Sequence, residues 1–158
     1  MNVLGTINET SSLAKKLKLP TGYLDAKQDI EAAVSYLYKK NNNQSIIIMG
    51  SSYSASLGLI IAAETVEIKA VIAFSPAECL KNTFVAELIT DLNKPIYVTS
   101  SKKEISSITE LMQKVNPKYV TQFEPPIDGE HGARVLWQRI TGHEFYWESL
   151  KKFLNLIT

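Results

Sequence analysis

Ser45-Ile46-Ile47-Ile48-Met49 runs directly into Gly50-Ser51-Ser52-Tyr53-Ser54-Ala55-Ser56. After Ser45 the run is apolar, β-branched at its centre and without polar alternation. Such a run reads as a strand covered on both faces, as in a parallel sheet. Residues 50–53 then read as a turn, leading into a helix over residues 54–63. Upstream, Ile30, Ala33, Val34, Leu37 and Tyr38 recur at helical spacing. They predict a helix over residues 25–40, stopped by Asn41-Asn42-Asn43.

The alternation continues downstream, with strands expected at residues 70–74, 95–99 and 119–123. Helices are expected at 83–91, 105–115 and 144–157, the second burying Ile105, Ile108, Leu111, Met112 and Val115. Strands and helices of these lengths in turn predict parallel strands joined by right-handed crossovers. The expected fold class is α/β, a three-layer α/β/α sandwich with a mostly parallel four-stranded sheet, as one domain over residues 1–158. The first 22 residues fit this pattern less well. Residues 2–7 read as a short strand, and residues 11–19 as a basic, weakly amphipathic piece that Pro20 ends.

Composition narrows the function. With 158 residues, 45% of them hydrophobic, the chain can bury one ordinary core. Seventeen basic against sixteen acidic side chains leave a net charge of +1, which argues against binding nucleic acid through bulk charge. The one cysteine, Cys79, excludes an internal disulfide framework and a cysteine metal cage. Two histidines twelve positions apart do not make a metal-ligand set, so no metal and no cofactor are expected. No apolar run is long enough to span a membrane, and no secretory signal is readable at the start, so a cytoplasmic location is expected. Trp137, Phe145, Tyr146 and Trp147 read as core rather than as a base-stacking platform.

Sites in open α/β sheets form beyond the carboxyl ends of the strands. Those ends carry Gly50-Ser51-Ser52-Tyr53-Ser54, Ser75-Pro76-Ala77-Glu78, Ser100-Ser101-Lys102-Lys103-Glu104 and Asp128-Gly129-Glu130-His131-Gly132. A nucleophile on a tight strand-to-helix turn needs small residues two before and two after it, because the backbone doubles back there. Ser52 has Gly50 and Ser54. Ser51 would put Met49 at the earlier position. Ser54 passes the size test but lies in the following helix, where its hydroxyl would bond a carbonyl one turn back. Serines also gather in turns for their own reasons, yet Ser52 is the better candidate. The Tyr53 N–H would then open a helix and face a developing oxyanion. His131, between glycines, suits a base working near neutral pH, whereas His143 reads as structural. For the acid, Glu104 is first choice, although it also reads as a helix N-terminal carboxylate. Glu78 is the runner-up, and Asp128 is too near His131 in sequence to orient it from behind.

From about residue 23 onward the chain resembles the α/β-hydrolase family, in its dienelactone-hydrolase-like and small-esterase branches. The resemblance rests on Gly50-Ser51-Ser52-Tyr53-Ser54 after an apolar strand and on Lys69-Ala70-Val71-Ile72-Ala73-Phe74-Ser75-Pro76. Lys94-Pro95-Ile96-Tyr97-Val98-Thr99 leading to Glu104, and Glu130-His131-Gly132 before a helix, complete it. It implies Ser52 as nucleophile, His131 as general base, Glu104 as orienting acid and the Tyr53 N–H as an oxyanion donor. The implied substrate is a small ester, thioester or lactone, hydrolysed through an acyl-enzyme.

Two departures stand out. Ser54 replaces the family's usual glycine. The family's early strands, and the loop that gives its second oxyanion donor, have no counterpart before residue 25. The apolar strand at 46–49 would then lie at an open sheet edge, covered by residues 2–7, by a second copy of the chain or by a separate N-terminal fragment. The absent donor also keeps a catalytically inactive binding or oligomerisation module open as an alternative. A nucleotide-binding domain ranks lower, since neither GxxxxGK[ST] nor GxGxxG is present.

Overall fold

The computed structural model describes residue 7 and residues 9–157. Four parallel strands, β1 (Ile46–Ser51), β2 (Ile68–Phe74), β3 (Ile96–Thr99) and β4 (Val120–Phe123), form one sheet in the order β1-β2-β3-β4. The described residues also form six α-helices: α1 (Glu9–Lys16), α2 (Lys27–Lys40), α3 (Tyr53–Glu64), α4 (Val85–Leu88), α5 (Ile105–Met112) and α6 (His143–Ile157).

The strand order explains the layering. Each strand is laid beside its predecessor in the same direction, so same-handed crossovers put their helices on one face. There α2, α3, α4 and α5 pack on Val71, Ala73, Ile96 and Val98. The alternate residues Ala70, Ile72, Phe74 and Tyr97 face the other way and are covered by Tyr146, Leu150 and Phe153 of α6. The result is the three-layer α/β/α sandwich. Helix α3 is apolar on every side and buried from Ala55 to Ala62. Its end is tied to the start of β3 by Lys94, whose Nζ donates to the Ala62 carbonyl at 2.6 Å and also to that of Thr65.

Several sequence expectations are corrected. β1 packs on both layers, Ile46 and Ile48 on the α2–α5 side and Ile47 on the α6 side, but these three are only half-buried and Met49 is 49% exposed. It is the sheet's edge among the described residues, the position expected for residues 46–49. The helix at 83–91 shrinks to the single turn of α4. Glu78 caps its start, and the Thr90 hydroxyl draws on the Ala86 and Glu87 carbonyls near its end. The expected face of residues 25–40 is covered only in a stripe. Val34 is buried and Ile30 and Tyr38 are half-buried, but Leu37 is 52% exposed and Ala33 is exposed too, because no described element packs beyond them. That segment begins as a 3-10 turn, Leu24–Ala26. α5 stops at Met112, ahead of the Asn116-Pro117 break that starts a 3-10 turn, Pro117–Tyr119. Of the four late aromatics only Tyr146 is core. Trp137, Phe145 and Trp147 stay exposed, with Arg139 over the Trp137 ring and the Trp147 Nε1–H on the Leu136 carbonyl. The basic piece at 11–19 falls largely on α1, which buries no residue and is followed by Lys18 in a left-handed conformation. The strand expected at residues 2–7 lies outside the described residues apart from Ile7, which is exposed and irregular. Among the described residues no helix is long and apolar enough to cross a membrane.

Candidate active site

The turn after β1 is built around Gly50. A Cβ there would stand 2.5 Å from the Ser54 carbonyl oxygen and 2.6 Å from the Ala55 Cα, so only hydrogen fits. Ser52 then takes φ 59° and ψ −133°, a strained conformation for a residue with a Cβ. It is held there by its N–H on the Phe74 carbonyl at 2.8 Å and by its own carbonyl, which accepts from the Ala55 N–H at 2.9 Å. Tyr53 opens α3, so its N–H lies in the first turn, where a helix supplies no carbonyl partner. The Ser54 hydroxyl donates to the Ser51 carbonyl at 2.8 Å and accepts from the Ser51 N–H at 3.1 Å. That occupies Ser54 within the turn.

The structure brings Ser52, His131 and Glu104 into one hydrogen-bonded row. His131 Nε2 stands 2.9 Å from Ser52 Oγ, and its Nδ1 stands 2.5 Å from Glu104 Oε1. An ionised carboxylate can only accept, so the Nδ1 proton points at Glu104; with the ring neutral, Nε2 is then the acceptor for the serine hydroxyl. Burial pushes the Glu104 carboxyl up. Hydrogen bonds with Ser101, His131 and Ser75, and the nearby His131 charge, outweigh this and hold its pKa below the ordinary carboxylate value. Ser101-Lys102-Lys103-Glu104 has capping-box spacing, and the carboxylate accepts from the Ser101 N–H at 3.2 Å and hydroxyl at 2.6 Å. Both readings of Glu104, helix-terminal and histidine-facing, therefore hold in the geometry.

The other candidates lie elsewhere. Glu78 accepts from the Val85 and Ala86 N–H groups at 2.6 and 2.8 Å, which commits its carboxylate to α4. Asp128 meets this region through its carbonyl, which accepts the Lys102 N–H at 2.7 Å. His143 opens α6, with its Nε2 3.1 Å from Glu144 Oε1.

Two serines not singled out from sequence hold the histidine loop. The Ser75 hydroxyl accepts the Gly132 N–H at 2.8 Å and donates to Glu104 Oε2 at 3.0 Å. The Ser51 hydroxyl accepts the Ala133 N–H at 2.9 Å. Their position at strand ends was visible in the sequence. Their partners, 57 and 82 positions away, were not.

On the α1 side the Tyr53 ring stacks on Tyr23, centroids 4.3 Å apart and planes 11° apart. A cavity of about 710 Å³ opens beside this pair, lined by Leu13, Leu17, Leu19 and Pro20 among others.

No protein-family model matches the chain, and no curated protein does. Solved structures do. The Pyrococcus furiosus esterase Pf2001 in two crystal forms aligns over 83% of this chain, with 18% identity and TM-scores of 0.67 and 0.64. The esterase domain of a Rhodothermus marinus protein aligns over 66%, with 14% identity and a TM-score of 0.55. The chain spans about three fifths of these structures, 58% to 62% of their lengths. At these identities the likeness establishes the fold: an esterase-like α/β architecture.

Proposed function

We propose that the chain is a serine hydrolase acting on a small ester, thioester or lactone, with Ser52 as nucleophile, His131 as general base and Glu104 as orienting acid. The observation that carries this reading is the continuous row from Ser52 Oγ through the imidazole to the Glu104 carboxylate, at 2.9 and 2.5 Å. The structural neighbours, esterases by name, support it.

In this reading Ser52 Oγ attacks the carbonyl carbon while its proton passes to His131 Nε2. The carbonyl π electrons move onto oxygen, where the Tyr53 N–H, aided by the N-terminus of α3, stabilises the charge. Glu104 holds the imidazole in the right tautomer and offsets its positive charge. The imidazolium returns the proton to the departing alcohol or thiol, leaving an acyl-serine. Water then attacks, giving its proton to Nε2, and the carboxylic acid leaves as Ser52 is re-protonated. The strained turn keeps the hydroxyl pointed outward without a reorganisation step. The test is covalent labelling by a fluorophosphonate probe. Labelling of the parent protein and none of Ser52→Ala is expected; no labelling of folded parent protein overturns the reading.

A further inference from the structure

Ser75 follows β2 directly, is 2% exposed and has φ 50°, an uncommon conformation for a residue with a Cβ. Its backbone is pinned by its N–H on the Thr99 carbonyl at 2.7 Å. Two residues on, the Ser56 hydroxyl clamps Ala77, accepting from its N–H at 3.0 Å and donating to its carbonyl at 2.8 Å. The Ser75 hydroxyl is thereby placed between Glu104 Oε2 and the Gly132 amide.

A hydroxyl has one proton and two lone pairs. Donating to the carboxylate fixes the proton, and the lone pairs remain for the Gly132 N–H. One oxygen therefore touches both the acid and the backbone behind the base. The next amide along, Ala133, is pegged in parallel by Ser51 from the end of β1. Gly132 makes this close approach feasible. Its φ is +71°, and a Cβ there would stand 2.5 Å from Ser51 Oγ.

We propose that Ser75 is a positioning residue, its hydroxyl setting the distance between the Glu104 carboxylate and the His131 imidazole by holding the carboxylate and the His131 loop at once, with Ser51 as a second peg on the loop alone. The inference rests on the hydrolase reading for its consequence in rate, and on the hydrogen bonds for its consequence in geometry. Ser75 is buried and its hydroxyl meets Glu104 and Gly132, so it acts through the pair it holds.

The experiment compares Ser75→Gly, Ser75→Ala and Ser51→Ala with the parent protein. Ser75→Gly removes the hydroxyl while accepting the positive φ without strain, which keeps the fold. With p-nitrophenyl acetate, both Ser75 variants are expected to lose about 10- to 100-fold in kcat with KM changed less than about twofold. The downfield proton resonance of the His131 Nδ1–H, read by NMR on the same samples, is expected to shift or vanish in them. Ser51→Ala is expected to lose less kcat and to keep that resonance. Parent-like kcat and resonance in Ser75→Gly overturn the proposal, as does an equal loss in Ser51→Ala. A parent protein that hydrolyses nothing, with a resonance still altered in Ser75→Gly, overturns the hydrolase reading and leaves the positioning role standing.

Discussion

Ser52 Oγ and His131 Nε2 lie 2.9 Å apart although 79 positions separate them in the chain. The two sit on different parts of the rim, one on the turn after β1 and the other on the loop after β4. Only the parallel stacking of the strands between them makes the contact. Removing the hydroxyl by Ser52→Ala is expected to lower ester hydrolysis by at least about 10³-fold. Melting temperature should stay near the parent value, because the hydroxyl is not part of the core. Steady-state kinetics with an activated ester, alongside calorimetry, check both parts.

Ser52 also carries strain, which makes a stability prediction opposite to the usual propensity order. At φ 59° and ψ −133° a Cβ is costly, by about 1–3 kcal/mol. Ser52→Ala keeps the Cβ and Ser52→Gly removes it. Urea unfolding should find the glycine variant more stable than the alanine one by about 1 kcal/mol, even though glycine usually ranks below alanine.

Two glycines on the β1–α3 unit should respond oppositely to alanine. At Gly50 the new Cβ would meet backbone at 2.5 Å, so Gly50→Ala should cost about 1–3 kcal/mol and lower kcat by displacing the turn. At Gly58, inside α3, the Cβ would make ordinary contact with Ile48 Cδ1 at 3.5 Å. Gly58→Ala should therefore be neutral or stabilising, by up to about 1 kcal/mol. Denaturant midpoints of the two variants provide the comparison.

Glu104 gives a pH dependence of known sign. Its folded pKa lies below the ordinary value, since hydrogen bonds with Ser101, His131 and Ser75 outweigh burial. A depressed carboxylate contributes stability that is fully present above its unfolded value. That contribution is lost as pH falls through the folded one. Urea midpoints measured from about pH 6 down to about pH 3 should fall more steeply for the parent protein than for Glu104→Gln. The same variant should lower kcat by about 10²- to 10⁴-fold through the imidazole it no longer orients.

The regular elements were legible because they are buried by period. Val71 and Ala73 against Ile72 and Phe74 alternate between two helix layers, and α3 is apolar all round because it is enclosed. Apolarity without a partner was misleading. Ile46 to Ile48 carries no polar alternation yet is only half-buried, and Leu37 sits at helical spacing yet stays 52% exposed. At the candidate site, local spacing singled out Ser52 through its small neighbours but left Glu104 and Glu78 as alternatives. They separate only in three dimensions, where Glu78 caps α4 and Glu104 faces His131. The hydroxyls of Ser51 and Ser75 were illegible for a related reason. Nothing nearby in sequence reveals which distant amide a serine will accept.

The position of Ser52 just past β1 has a last consequence. Its turn is buttressed from the β2 side through the Phe74 carbonyl, while the opposite flank meets no described strand and the imidazole is half open to water. The stacked Tyr23 and Tyr53 rings, and the cavity lined by Leu13, Leu17 and Leu19 next to them, lie on the α1 side of that turn. On the hydrolase reading, the choice among carbonyl compounds then falls to these helix-borne side chains rather than to a flanking strand.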